Sequence, residues 1–191
     1  MFFKKIKDVI FIILLGSLCT LALLGIRGYT LPIITQYEEF KFKSTILDAA
    51  GIEYSEDNAE QVFEDSIRIV QAGNLAYYLS PEGSYIFEFK GRGLWGPIRG
   101  VITLEEDLKT IEAMRIISQE ETPGLGARIT EDSYLTGFKG KVMNQRLTLA
   151  LRRKAIHNNE IDSISGATLT STALISMINE YVEIFRKKII N

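Results

Sequence analysis

Three segments of this sequence hold residue types whose spacing suits binding chemistry. The densest is Asp162-Ser-Ile-Ser-Gly-Ala-Thr-Leu-Thr-Ser171, with five hydroxyls in ten residues, where a loop enters the last helix. One hydroxyl is enough to cap a helix start, and Ser165 is well placed to do so. The free N–H groups and dipole of a helix start also favour an anion. Gly166 has no side chain to block a phosphate. On these residues alone, a cap and a phosphate site both stand.

The second segment is Glu121-Thr-Pro-Gly-Leu-Gly126. One Pro and two Gly in six residues make a sharply turned loop. Glu121 and Thr122 offer hydrogen-bonding groups, while Gly124 and Gly126 let backbone approach a ligand closely. An ordinary turn between a strand and a helix has the same composition. The third segment, Gly91-Arg-Gly-Leu-Trp-Gly96, spells G-x-G-x-x-G. A dinucleotide loop needs a helix to begin there, whereas Pro97 and a β-rich run follow. A glycine-rich strand connection fits better, with Trp95 either packed or offering a flat apolar ring to a planar cofactor.

Composition limits what these segments can do. The 191 residues include one His and one Cys, which excludes a disulfide framework, a zinc ribbon and a Cys/His catalytic pair. Any redox chemistry therefore requires a bound cofactor. A net charge of -2 gives no reason to expect nucleic acid as a partner. Four of the 22 basic residues and one of the 24 acidic ones lie in the first 28 positions, so the remainder is the more acidic part.

Those first positions also differ in kind. Val9 to Ile26 runs 18 residues without a charge. As a helix at about 1.5 Å per residue it would span roughly 27 Å, close to the apolar thickness of a bilayer. Lys4, Lys5 and Lys7 precede it, which predicts a cytoplasmic N-terminus and an extracytoplasmic remainder. A cleaved signal peptide is the competing reading, but the run is long and no small-x-small site follows. Leu18 before Cys19 argues against a lipoprotein signal. The expected organisation is a cytoplasmic segment 1–8, a transmembrane helix 9–28 and an extracytoplasmic domain 29–191.

Within that domain, the pattern predicts helices at Pro32–Ala50, ending at Gly51, and at Ala59–Ala72, ending near Gly73. Strands are expected at Leu75–Leu79, Ser84–Lys90, Ile98–Leu104, Thr110–Ser118 and Val142–Leu151. A short helix falls near Glu131–Phe138. Leu174, Met177, Ile178, Tyr181 and Phe185 recur at helical spacing, so Thr168 to about Lys188 is an amphipathic helix. The fold class is α+β: a mostly antiparallel sheet with flanking helices, after one N-terminal transmembrane helix.

Ser165-Gly-Ala-Thr-Leu-Thr-Ser171, with Asp162 ahead of it, resembles the flavin-attachment motif of the FMN-binding subunits of Rnf and Nqr complexes. Glu121-Thr-Pro-Gly-Leu-Gly126 is similar to the family's second hallmark, and an anchor followed by an outward domain matches too. The resemblance implies FMN joined through its phosphate to the Thr168 hydroxyl, by a separate flavin transferase. Ser165, Gly166, Ala167, Leu169, Thr170, Glu121, Thr122, Gly124, Leu125 and Trp95 complete the implied cofactor site. It further implies an electron relay among other membrane subunits rather than independent turnover. Gln119 stands where the family often has His. The short chain resembles the G subunit of Rnf, and Gly93-Leu-Trp-Gly-Pro97 resembles the C subunit of Nqr; the Rnf protein is the preferred expectation. A stand-alone flavin carrier and a cofactor-free anchored domain are the alternatives.

Overall fold

The computed structural model describes residues 2–73 and 75–190, with side chains for 6–73 and 75–189. Lys4 and Lys5, counted above toward topology, lie outside the described side chains. The chain forms two compact units, residues 1–40 and 41–191.

The first unit is helical over its described residues. Helix α1 runs Phe2–Ala49 without a break and continues into the second unit. It holds a stretch long and apolar enough to cross a membrane, with mean hydropathy 2.8 and no buried side chain. The sequence pattern predicts two separate helices, on either side of residues 29–31. One forms because nothing between Gly28 and Pro32 offers the backbone another partner. Thr30 and Thr35 hydroxyls bond back to the carbonyls of Ile26 and Leu31, each at 3.0 Å. Pro32 sits inside the helix, where it removes one ladder bond but does not end it.

The second unit opens with the end of α1. Gly51 adopts φ +68° as expected of its position, and Ile52 N–H reaches the Leu47 carbonyl at 3.0 Å. That bond, with Gly51 N–H to the Asp48 carbonyl at 3.3 Å, is a Schellman ending. Helix α2 (Ala59–Ser66) follows. It is shorter than expected: Ile67-Arg-Ile-Val70 is β-branched at three of four positions and passes into strand β1 (Arg68–Ala72).

Strands β1, β2 (Leu75–Leu79), β3 (Tyr85–Arg92), β4 (Pro97–Leu104) and β5 (Ile111–Gln119) form one antiparallel meander in sequence order. Phe87, Phe89, Ile98, Ile102 and Leu104 form a core with Leu174, Ile178 and Phe185 of helix α4 (Thr168–Ile190). Phe87 and Phe185 stack at 4.0 Å. The other sheet face meets the end of α1, where the Thr103 hydroxyl donates to the Ala49 carbonyl at 2.9 Å.

Between β5 and α4 lie a 3₁₀ turn (Gly126–Thr130), helix α3 (Asp132–Leu135), a second 3₁₀ turn (Thr136–Phe138) and two short parallel strands. Those strands are β6 (Thr148–Ala150) and β7 (Glu160–Asp162). The pattern predicts one strand over Val142–Leu151; only its end is one. Asn179 of α4 supplies the reason. Its side-chain amide takes both the N–H and the carbonyl of Leu147, at 2.7 and 2.9 Å. A side chain thus serves where a neighbouring strand would otherwise be needed. The fold is α+β, as the sequence pattern predicts.

Candidate functional site

The three segments singled out in the sequence meet at one end of the five-stranded sheet. Gly91 to Gly96 is not a dinucleotide loop. Gly91 and Arg92 belong to β3, and Gly93 N–H closes a tight turn onto the Gly96 carbonyl at 2.8 Å before Pro97 opens β4. Residues 121–126 leave β5 at the same end, because Gln119 is in register with Ile98. Pro123 and Gly124 are the middle of a turn closed by Leu125 N–H to the Thr122 carbonyl at 3.2 Å. Gly124 has φ +74°, so this is the Pro-Gly type II pattern.

Glu121 joins the segments. It is only 5% exposed. One carboxylate oxygen, Oε1, accepts Trp95 N–H at 3.0 Å and Gly96 N–H at 3.5 Å. The other, Oε2, accepts the Thr170 hydroxyl at 2.6 Å. Burial pushes the Glu121 carboxyl up. Hydrogen bonds from Thr170, Trp95, Gly96 and Leu94 outweigh that and hold it below the usual carboxylate range. Two glycines make room: a Cβ on Gly93 would stand 2.3 Å from Oε1, and one on Gly126 would stand 2.7 Å from Oε2. The sequence pattern presents Glu121 as a hydrogen-bonding group of the loop. In the structure it is an internal acceptor for both neighbouring segments. Gln119 has a local task as well, its side-chain oxygen accepting Glu121 N–H at 2.6 Å.

Four hydroxyls lie within the first five residues of α4, and the structure separates them. Thr170 is 1% exposed and committed to Glu121. Ser171 is fully buried; its hydroxyl accepts Ile164 N–H at 3.3 Å and donates to the Ala167 carbonyl at 3.1 Å. Thr172 donates to the Thr168 carbonyl at 2.8 Å. Thr168 is exposed, and among the described residues its hydroxyl has no partner. Ser165, the expected cap, is exposed, and among the described residues its hydroxyl takes no helix N–H; Ser171 instead ties Ile164 N–H, ahead of the helix, to the first turn. Tyr134 lies buried beside Ser171, and burial pushes its phenol up to about 12.

The surroundings of Thr168 suit a phosphate bearing a flat apolar group. The N–H groups of Thr168, Leu169 and Thr170 precede the first ladder bond, Ser171 N–H to the Ala167 carbonyl at 3.0 Å. Gly166 turns the chain at φ +81°, and a Cβ there would stand 3.0 Å from a Leu125 methyl. Leu125 thus touches the approach to α4. Leu94, Trp95, Leu125 and Leu169 are all exposed, Trp95 at 70% and Leu169 at 64%. Single exposed apolar side chains are ordinary; here four fall on three joined segments and give this end of the sheet apolar surface. Beside Trp95 lies a cavity of about 600 Å³ lined by Lys90, Arg92, Pro97, Arg99 and Glu120. Ala167 is buried and packs in the core; Thr122 is exposed. Among the described residues no acidic, His or Cys cluster could hold a metal ion.

Two features of the site escaped the sequence. Asp162 clamps the 151–159 loop, taking Ala155 N–H at 2.5 Å and Lys154 Nζ at 3.3 Å. Arg153 pairs with Glu160, whose carboxyl falls to about 2, first through that guanidinium and then through the Ile156 N–H. A dense run of charges in a short loop was the available signal, but pairing within it is invisible without the fold.

Residues 93–183 match the model of the FMN-binding domain family. The C subunit of the Na(+)-translocating NADH-quinone reductase of Chlamydia pneumoniae is 31% identical over 145 residues, covering 64% of this chain and 45% of that protein. The G subunit of the proton-translocating ferredoxin:NAD(+) oxidoreductase complex of Clostridium ljungdahlii is 30% identical over 115 residues, covering 58% of this chain and 60% of that protein. The chain thus spans about half the length of the curated relatives it matches. The solved C subunit of the Na(+)-translocating NADH-quinone reductase from Parabacteroides distasonis has the same fold, with a TM-score of 0.67 at 24% identity, over 77% of this chain and 90% of that one. The three motif segments joined at this end of the sheet all reach into the part of the chain, residues 93–183, that is similar to the FMN-binding domain family.

Proposed function

We propose that this chain is a membrane-anchored flavoprotein subunit that relays electrons through FMN covalently bound at Thr168. The observation that carries the reading is the isolation of one hydroxyl. Of the four hydroxyls at the start of α4, Thr168 alone is exposed and uncommitted, at the end of a 23-residue helix whose first N–H groups are free. A phosphodiester there keeps one negative charge, which the helix start stabilises by about 0.3–1 kcal/mol. FMN supplies the redox chemistry, while the protein supplies position and surroundings. Leu94, Trp95, Leu125 and Leu169 offer apolar surface for the ring, and the covalent bond prevents its loss.

Attachment is redox-neutral. The Thr168 O–H bond breaks, an Oγ–P bond forms, and the P–O–P bond of a flavin dinucleotide breaks, releasing a nucleoside monophosphate and a proton. A flavin transferase provides that donor; no base on this chain stands against Thr168 among the described residues.

Residues 9–28 anchor the protein, with residues 1–8 in the cytoplasm and 29–191 outside it. The partners are the other membrane subunits of an Rnf-type ion-translocating ferredoxin:NAD oxidoreductase. The clostridial relative supports this reading, being matched over the larger share of its length. The second reading is the C subunit of an Nqr complex, supported by the chlamydial relative at 31% identity.

Purified after coexpression with a flavin transferase, the chain should be yellow and stay fluorescent after denaturing electrophoresis. Thr168→Ala should fold but show neither property. Covalent flavin in Thr168→Ala would refute the assignment. Protease added to intact spheroplasts should reach the domain; full protection there would reverse the topology.

A further inference from the structure

One carboxylate reaches three segments that are far apart in sequence. Glu121 binds the backbone of the Trp95 turn 25 and 26 residues upstream, and the Thr170 side chain 49 residues downstream. Both glycines that flank the carboxylate, Gly93 and Gly126, leave no space for a Cβ. The contact is therefore built into the packing rather than made by a side chain on the surface.

The geometry has a consequence for α4. Residues two apart on a helix point about 200° apart, so whatever fixes Thr170 inward fixes Thr168 outward. Thr170 is 1% exposed and held at 2.6 Å, while Thr168 is exposed. A turn of about 100° about the helix axis would replace Thr168 on the open face by Leu169 or Ala167, and a turn of about 160° to 200° would bring Thr170 there. The same carboxylate holds the turn that carries the exposed Trp95 ring.

We propose that Glu121 is a positioning residue for flavin attachment: its carboxylate sets the rotation of α4, so that Thr168 and not Thr170 presents its hydroxyl to the flavin donor. This rests on the reading of Thr168 as the attachment residue. Glu121 touches neither the flavin donor nor the reacting oxygen. It acts through Thr170 and the 94–96 backbone, by hydrogen-bond geometry rather than by charge.

The test uses the full chain in detergent with a flavin transferase and a flavin dinucleotide, and three variants. Glu121→Gln keeps the geometry: its amide oxygen accepts Trp95 and Gly96 N–H, and its amide N–H donates to the Thr170 oxygen. Its labelling rate should stay within about threefold of the parent's. Glu121→Ala removes the contact and should slow labelling by about tenfold or more, with the residual label shared between Thr168 and Thr170. Thr170→Val removes only the hydroxyl at nearly constant volume. It should label more slowly than the parent by about threefold, with all label on Thr168.

Amide exchange in the flavin-free chain supplies a readout independent of labelling. Trp95 and Gly96 amides should be protected in the parent and in Glu121→Gln, and unprotected in Glu121→Ala. The proposal is overturned if Glu121→Ala or Thr170→Val labels at the parental rate with label on Thr168 alone. It is also overturned if Glu121→Gln labels as slowly as Glu121→Ala while its amides stay protected, because charge would then be the requirement. If Glu121→Ala does not fold, Thr170→Val and Glu121→Gln decide. If the parent is not labelled at all, the attachment reading fails instead, and unprotected parental amides at Trp95 and Gly96 would overturn the clasp as well.

Discussion

The turn at residues 93–96 and the start of α4 offer the same raw material for binding an anion: glycine and backbone N–H groups outside the strand and helix ladders. Only the start of α4 still has it available. In the turn, Gly93 N–H goes to the Gly96 carbonyl, and Trp95 and Gly96 N–H go to Glu121. The protein's own carboxylate occupies the place a phosphate would take. At α4 the same carboxylate takes only the Thr170 hydroxyl, and the first three N–H groups stay open. An internal acceptor satisfies the N–H groups of one glycine-rich segment and leaves those of the other open.

The largest expected break in that comparison is at Thr168. Thr168→Ala should abolish covalent flavin, whereas Thr168→Ser should retain some, since the nucleophilic hydroxyl remains. In-gel flavin fluorescence reads both. Stability should change by less than about 1 kcal/mol, since Thr168 is exposed and its hydroxyl holds no partner among the described residues.

Next comes Gly126→Ala, whose Cβ would stand 2.7 Å from the Glu121 carboxylate and 2.8 Å from the Thr170 oxygen. Overpacking at this junction should cost about 2 kcal/mol in denaturant unfolding and loosen the turn and α4 together. By contrast Gly124, with open space around it, is limited by its φ of +74°. Gly124→Val should cost about 1 kcal/mol and shift the flavin spectrum while leaving Thr168 modified.

Acid should separate the two regions. The Glu121 carboxyl lies below its ordinary value when folded, so its contribution is complete above about pH 4.5 and is lost as pH falls through the folded value. Glu160, at about 2 when folded, follows the same sign and holds its loop to lower pH. Exchange at Trp95 and Gly96 should therefore rise on acidification before exchange within α4 does. Unchanged protection of Trp95 and Gly96 as pH falls through the folded value would mean that the turn does not depend on its carboxylate.

The smallest effect is expected at Ser165, which is exposed. Ser165→Ala should change stability by less than about 0.5 kcal/mol and leave modification intact.

Much of this site is legible in the sequence, and the illegible part has a common cause. Pro123-Gly124 announces its own turn, Gly51 its own helix ending, and Leu174 to Phe185 the buried stripe of α4, because each signal is local. The sequence pattern overstates α2 and the Val142–Leu151 strand where a distant partner decides the outcome: β2 draws residues 68–72 into the sheet, and Asn179 satisfies Leu147. The role of Glu121 is hidden for the same reason. Its residue type offers a hydrogen-bonding group, but the partners it takes lie 25 to 49 residues away. The four hydroxyls of α4 are equal in sequence and become unequal only once α4 packs on the sheet.

The most direct test of the account is to localise the flavin. The full chain, coexpressed with a flavin transferase, is digested and its peptides sequenced by tandem mass spectrometry. The account predicts a single adduct, with the mass of FMN less one water, on Thr168 and none on Ser165, Thr170, Ser171 or Thr172. An adduct on Thr170 or Ser171 would contradict the claim that burial and internal hydrogen bonds select the attachment residue, and a chain with no adduct would contradict covalent attachment itself.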